Sequence, residues 1–323
     1  MRVLLTGATG FVGSHAAHSL SQAGHSLRLL TRSTSNLEGL ADLDFERVVA
    51  DLRDADALAG ACAGIDTVVH VAGVTSARRE RAFYEVNGQG TAALARAASR
   101  AGVKRFLYVS SLAAMGPSAF AEDPEAPPHP VTVYGSSKLT GERELVAVGG
   151  DMEVQILRPP AVYGPRDTGL LPFFKMSRRR FVTQLGRGRN RVAMVYGPDL
   201  GEAIQRLVDA GPAPTAYFHI ADQTGPYTWS ELLRTLNKGF DQRTVRIPVP
   251  PLAFSILARV SVATSGLVRR DPLLDRSRYT EMSQPAWVCD SAVLEAHLGW
   301  APQTLLADGI GETIAWYREH RWI

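Results

Sequence analysis

Met1-Arg-Val-Leu-Leu-Thr6-Gly7-Ala-Thr-Gly10-Phe-Val-Gly13 opens the chain and decides its fold. The apolar run Val3-Leu4-Leu5 leads into Thr6 and three glycines. An amphipathic run follows at once through Phe11, Val12, His15, Ala16, Ser19 and Leu20. That order reads as a strand, a tight glycine turn and a helix. Glycine serves there because a side chain would hold the backbone away from a pyrophosphate. The helix N-terminus then offers unpaired N–H groups and the positive end of a dipole to phosphate. The G-x-x-G-x-x-G spacing departs from the G-x-G-x-x-G fingerprint, but its place directly after a strand points to a nucleotide-binding turn.

Composition bounds the rest. A chain of 323 residues can bury a large core as one big domain or two lobes. The net charge of +3 is too small to suggest an electrostatically driven nucleic-acid binder. Cys62 and Cys289 lie far apart, with neither disulfide nor metal spacing, so no metal is expected and a reducing compartment fits. The first residues enter a strand with no signal-peptide pattern, and the expectation is a cytoplasmic protein. The stretch nearest to a membrane span, 247–268, is interrupted by Pro248, Pro250, Pro251 and Arg259.

Strands and helices alternate through the first half. Strands are expected at His25–Thr31, Phe45–Ala50, Ile65–Val71 and Val103–Val109, with the longest helical run from about Arg81 to Ala101. Such alternation means parallel strands joined by right-handed helical crossovers. The fold class expected is α/β: a Rossmann, doubly wound parallel sheet over 1–165 with a smaller, mostly helical C-terminal lobe over 166–323. A later βα unit brings 192–222 back to the sheet. The Pro-rich loop from Ala113 to Val131 is long enough to suggest a functional role.

Ligands in such sheets sit beyond the carboxyl ends of the strands, so the strand ends carry the candidates. The second strand ends at Thr31-Arg32 with no acid to meet a ribose 2′-OH. Arg32 can instead pair with a 2′-phosphate, which favours NADP, with NAD the alternative. Asp51-Leu52 follows the third strand and can address an adenine edge. Val71-Ala72-Gly73 ends the fourth with small residues, while His70 reads as an in-sheet residue rather than a catalyst. The fifth ends in Val109-Ser110-Ser111. Tyr134-Gly-Ser-Ser-Lys138 then places a phenol and an ammonium one helical turn apart. A neighbouring ammonium and an oxidised nicotinamide both favour phenolate, making Tyr134 a feasible general acid/base, with Ser111 holding a substrate oxygen.

Taken together these segments resemble the extended short-chain dehydrogenase/reductase family, the NAD-dependent epimerases and dehydratases. The resemblance runs through Thr6–Gly13, Asp51-Leu52, His70–Gly73, Asn87-Gly-Gln-Gly90-Thr91, Val109–Ser111, Tyr134–Lys138 and Arg158-Pro159-Pro160-Ala-Val162-Tyr163-Gly164-Pro165. It continues through Gly186–Arg191, Tyr196–Leu200 and Leu298-Gly299-Trp300 to Trp316-Tyr317, nearly the whole chain. It implies catalysis by Ser111, Tyr134 and Lys138, with Lys138 binding the nicotinamide ribose and depressing the tyrosine pKa. It implies a cofactor site of Gly7, Thr9, Gly10, Phe11, Val12, Arg32, Asp51, Leu52, Val71, Ala72, Gly73, Asn87, Tyr134, Lys138, Pro160 and Val162. Two departures stand out: Met115-Gly116 where the family often has Tyr-Gly, and Thr31 where many members carry an acid.

Three functions follow from the resemblance. One is an oxidoreductase acting on a secondary alcohol or ketone of an apolar, sterol-like or lipid small molecule, as in the 3β-hydroxysteroid dehydrogenase-like branch. The apolar segment Pro250–Val260 supports it as a lid, a groove or a membrane-surface contact, and Arg178-Arg179-Arg180 could touch anionic headgroups. The second is a nucleotide-sugar epimerase or dehydratase with tightly bound NAD, in which Arg187, Arg189 and above all Arg191 clamp a diphosphate. The third is a cofactor-binding sensor without catalysis, disfavoured by the presence of Ser111, Tyr134 and Lys138. Family members commonly dimerise through helices here at about 81–101 and 133–148, and a homodimer is expected.

Overall fold

In the computed structural model the described residues are 1–323 except 78, 180, 186–187, 212–214 and 250–275; only the backbone is described at 183–185, 246, 248–249 and 276–279. Six strands, β1 (Arg2–Thr6), β2 (Ser26–Thr31), β3 (Phe45–Val49), β4 (Thr67–His70), β5 (Arg105–Val109) and β6 (Glu153–Arg158), pair in the order β6-β5-β4-β1-β2-β3. The strand Ala216–His219 adds beside β6, and every pairing in this seven-stranded sheet is parallel. The order reverses between β1 and β4, the crevice where doubly wound sheets bind ligands.

Burial on both faces explains the unbroken apolar strands. Val3, Leu5, Leu107 and Val109 point into one core, against α1 (Phe11–Gln22) and the helix Gly197–Asp209. Leu4, Phe106 and Tyr108 point into the other. There α2 (Ala55–Cys62), α4 (Thr91–Arg100) and α6 (Val133–Val148) cover the sheet. A third cluster, including Tyr163, Phe174, Leu232, Ile310 and Tyr317, holds the C-terminal part together.

The segment 192–222 meets the main sheet through Ala216–His219, while its first strand pairs elsewhere. Met194–Tyr196 pairs with Ala161–Tyr163 outside the main sheet. The helix after it lies on α1, because Gly201 leaves room: a Cβ there would sit 2.8 Å from the His15 carbonyl. Cys62 and Cys289 are both buried free thiols, pushed up by burial. Among the described residues no helix is long and apolar enough to cross a membrane.

The single long helix expected at 81–101 is three pieces: α3 (Glu80–Phe83), a π-helical turn over Tyr84–Gly90, and α4. The wide turn leaves Asn87 with no exposure. Its Oδ1 accepts from Val74 N at 2.8 Å and its Nδ2 donates to Val74 O at 3.0 Å. A hydrogen-bond chain runs from there to the opening turn. Thr91 Oγ1 donates to Asn87 O, so it accepts from His70 Nε2 at 3.0 Å. With the proton of the neutral ring on Nε2, His70 Nδ1 accepts from Thr6 Oγ1 at 2.6 Å, and that hydroxyl accepts in turn from Ala72 N. His70 is thus the Nε2–H tautomer, held neutral, and burial lowers its pKa to about 3 with the Lys138 charge helping.

An unfolded imidazole takes up its proton near 6.5, the folded His70 only near 3, so across that window the unfolded chain binds more protons and acid removes stability. Comparing wild type with His70→Asn by urea unfolding should therefore show the wild-type advantage shrinking by about 1.4 kcal/mol per pH unit as pH falls from 6.5 to 4. Parallel stability curves would contradict a neutral, buried His70.

Candidate active site

A cleft of about 1090 Å³ opens at the carboxyl ends of β1, β2, β4, β5 and β6. That volume exceeds the usual range for a drug-sized ligand and suits a dinucleotide together with a substrate. One end is built by the opening glycines. Gly7 has φ +75°, and a Cβ there would lie 2.6 Å from Ala72 N, so β4 packs against bare backbone. A Cβ on Gly13 would come within 2.0 Å of Gly7 O, so only glycine lets α1 start this close to the turn. Gly10 caps α1 without a side chain and is exposed, which leaves first-turn N–H groups facing the cleft. These are the features a pyrophosphate requires, and the residues fit a dinucleotide.

At the end of the cleft beside β2 and β3, Arg32 is exposed and its backbone N–H donates to Ser35 Oγ at 3.1 Å. Arg47 braces that corner by donating to Thr31 Oγ1 and Arg32 O. Asp51 is held by Arg53 through Nε at 2.7 Å and Nη2 at 2.9 Å. Those bonds, helped by the Arg32 charge, hold its carboxyl down to about 2. Leu52, Val71, Ala72, Gly73, Pro160 and Val162 all line the cleft, as do Thr9, Phe11 and Val12. Asn87 lies behind the wall, where its side chain bonds Val74 and Ser137.

The other end holds Ser111, Tyr134 and Lys138. Ser111 caps the short helix α5 (Leu112–Met115), accepting from Ala113 N at 3.1 Å. Thr132 caps α6 in the same way through Gly135 N. A Cβ on Gly135 would stand 2.1 Å from Ala113 O, so this glycine lets α6 seat against α5. Ser111 then hydrogen-bonds the Tyr134 phenol. Lys138 Nζ donates to Val109 O at 2.8 Å and lies 4.3 Å from the Tyr108 ring centroid.

The expected pull of Lys138 on the phenol is not what this geometry gives. Burial pushes Tyr134 up to about 12, the Ser111 bond pulls it partly back, and the charge of Glu281 adds to the rise. The Lys138 ammonium is committed to the Val109 carbonyl and the Tyr108 face, and burial lowers its own pKa to about 7 against the opposing charge of Glu142.

One buried ion pair fixes α6 to β6. Arg158 grips Glu142 through Nε at 2.9 Å and Nη2 at 2.6 Å, and Ser110 Oγ also donates to that carboxylate. Nη1 of Arg158 donates to Pro124 O at 2.6 Å, which ties down the Pro-rich loop. Among the described residues no group of His, Cys, Asp and Glu is arranged for a metal ion.

The model of the NAD dependent epimerase/dehydratase family matches residues 3–219. The chain belongs to that family. It is an NAD(P)-dependent oxidoreductase of the extended short-chain dehydrogenase/reductase type. It is similar to a ceramide reductase of Caulobacter vibrioides, 33% identical over 325 residues that cover 99% of this chain and 96% of the relative. It is 32% identical over 263 residues to a 3 beta-hydroxysteroid dehydrogenase/Delta 5-->4-isomerase of Mycobacterium tuberculosis, covering 75% of this chain and 70% of that one. Among solved structures it resembles DesIV, a dTDP-glucose 4,6-dehydratase from Streptomyces venezuelae with NAD bound. The TM-score is 0.81 and the identity 27%, over 100% of this chain and 98% of that one.

Several cleft residues carried no signal in the sequence. Arg53 joins the cleft from two residues past Asp51. Trp229, Glu281, Met282, Gln284 and Trp287 line it from separate parts of the chain after 166, far from any motif of the opening segments. Arg191 lines the cleft, where its Nη2 donates to Ala119 O at 2.5 Å. Arg187, Arg180 and the segment 250–260 lie outside the described residues.

Replacing Arg158 by Met would strand the Glu142 carboxylate in the core. The loss expected is about 3–5 kcal/mol of unfolding free energy in urea at neutral pH. A loss below about 1 kcal/mol would mean that the pair does not anchor α6.

Proposed function

We propose that the chain reduces a ketone to a secondary alcohol on an apolar, lipid-like small molecule, with NADP(H) as the preferred cofactor. One observation carries the reading. The cleft that holds Ser111 and Tyr134 is lined from both parts of the chain by apolar Leu112, Ala113, Val192, Trp229, Met282 and Trp287, beside polar Asn190, Arg191, Glu281 and Gln284. A ceramide reductase and a steroid dehydrogenase among its relatives support the same substrate class. In this reading the lobe after 166 is the substrate lobe. The helices α4 and α6 form the dimer face, where Val146 is 38% exposed. The exposed Phe181, Val245 and Ile247, beside exposed Arg178, Arg179 and Arg243, suit peripheral contact with an anionic bilayer.

A bound reduced nicotinamide would supply the hydride to the carbonyl carbon and leave oxidised. Ser111 donates a hydrogen bond to the substrate oxygen, and Tyr134 gives that oxygen its proton. A phenol at about 12 is fully protonated at neutral pH, the form a reduction needs. Lys138 and Tyr134 hold the ribose edge, while Gly7, Gly10 and the start of α1 hold the pyrophosphate. Arg32, with Arg53 beside it, meets the 2′-phosphate. The competing reading, a nucleotide-sugar epimerase or dehydratase holding NAD, draws on Arg191 at the cleft wall and on the likeness to DesIV.

Tyr134→Phe should lower kcat for NADPH-dependent reduction of a long-chain ketone by roughly 10²- to 10⁴-fold, a loss far larger than any change in dinucleotide affinity measured by calorimetry. Activity kept within a few-fold would refute the proton-donor role. Arg32→Ala should raise KM for NADPH by about ten- to a hundred-fold and leave that for NADH unchanged, in steady-state assays. An equal effect on both cofactors, or a wild type that strongly prefers NADH, would overturn the NADP assignment.

A further inference from the structure

Tyr108 of β5 has no exposure, and the reaction as described does not use it. Two groups meet its ring. His70 is its register partner on β4, and the two rings stack with centroids 5.3 Å apart and planes 18° apart. Lys138 Nζ lies over the ring, 4.3 Å from its centroid. The Tyr108 hydroxyl donates to Asn87 O at 3.4 Å, an oxygen that Thr91 already serves at 2.8 Å, so the hydroxyl is the lesser part of this residue. Burial pushes the phenol far up, so what Lys138 meets is a neutral aromatic face and not a phenolate.

Lysine brings three N–H donors on one charge. One donor goes to Val109 O at 2.8 Å. A Cβ added to Gly73 would lie 3.6 Å from Nζ, so the ammonium sits against bare backbone at the cleft wall, and Lys138 itself lines the cleft. Burial works against the ammonium, and the charge of Glu142, one helical turn on and paired with Arg158, works for it. His70 is neutral, and Tyr134, one turn before, keeps its proton. An aliphatic side chain at 108 would fill the same space. Only an aromatic face also attracts a cation, and the attraction grows where water is excluded.

We propose that Tyr108 is a positioning residue for the reaction: the face of its ring holds the buried Lys138 side chain in its charged form and turns the remaining ammonium N–H groups toward the cofactor. The inference rests on the reading of Lys138 as the donor to the ribose. With no exposure of its own, Tyr108 acts only through Lys138. His70 has a part in the same arrangement, because an imidazolium stacked on this ring would repel the ammonium, and the neutral tautomer does not.

Direct titration of Lys138 tests this without any substrate. The lysines of the chain are Lys104, Lys138, Lys175 and Lys238. In protein labelled with carbon-13 at lysine Cε, the Lys138 signal is the one lost in Lys138→Arg, and its NMR shift against pH gives the pKa in the empty enzyme. Two variants of nearly one shape are compared: Tyr108→Phe, and the same replacement made with a trifluorinated phenylalanine, whose face no longer attracts a cation. Tyr108→Phe should leave the Lys138 pKa where the wild type has it, and the fluorinated ring should lower it by about one pH unit. The pH above which NADPH and NADH bind more weakly, followed by calorimetry, should fall by the same amount. If Tyr108→Phe does not fold, a ring-fluorinated tyrosine at 108 gives the same comparison against the wild type. Equal Lys138 titration with plain and fluorinated rings overturns the proposal. So does a Tyr108→Phe variant that shifts as far as the fluorinated one, since the effect would then belong to the hydroxyl. A shifted Lys138 titration with no change in dinucleotide binding defeats the reading of Lys138 as the ribose donor, and this inference with it.

Discussion

The seating of α6 on the sheet is the constraint on which the rest depends. Two absent side chains permit it: Gly135 lets the helix touch the Ala113 carbonyl, and Gly141 does the same at the Asn87 carbonyl, where a Cβ would lie 2.2 Å away. The Glu142–Arg158 pair then holds the helix from its middle. With backbone against backbone at two points and a charge pair inside, α6 has little freedom to slide or roll. Tyr134 and Lys138 inherit their positions from that rigidity. The phenol meets Ser111 because the caps of α5 and α6 are pressed together, not because either loop reaches for the other.

The two ends of the cleft are built on opposite electrostatic plans. At the end beside β2 and β3 the charged groups are exposed and paired, Asp51 with Arg53, so that a ligand phosphate would exchange one solvated ion pair for another. At the reactive end the ionisable groups are buried, and burial sets their protonation. Tyr134 is kept in its proton-bearing form, while Lys138 is brought near neutrality. One end can therefore read charge, and the other can move a proton.

Much of this was legible from residue order. The glycine spacing after Val3-Leu4-Leu5, the alternation of apolar strands with helical runs, and Tyr134-Gly-Ser-Ser-Lys138 after Ser111 each reflect a local requirement of the backbone, and local requirements leave local patterns. What was not legible depends on distant contacts. Glu281 and the two cleft tryptophans arrive from the C-terminal lobe without any periodicity that could announce them. The direction in which Tyr134 shifts depends on burial, which no spacing encodes. Asn87 falls in a conspicuous motif, but its partners Val74 and Ser137 lie 13 residues before it and 50 after it, and no spacing names them. The return of 192–222 was visible in outline, while the pairing of Met194–Tyr196 with Ala161–Tyr163 was not.

The wide turn at Tyr84–Gly90 escaped the sequence for a related reason: one surplus residue hardly disturbs a helical run of small and apolar side chains. Its consequence concerns deletion rather than substitution. Each residue of a helix turns the chain by about 100°. Removing one from this turn would restore a more regular α-helix and, in doing so, swing Asn87 off Val74 and Ser137. The straighter helix would be the better one by local energetics and the worse one for the molecule. This stretch of chain should therefore tolerate exchange of its exposed side chains far more readily than any change in its length.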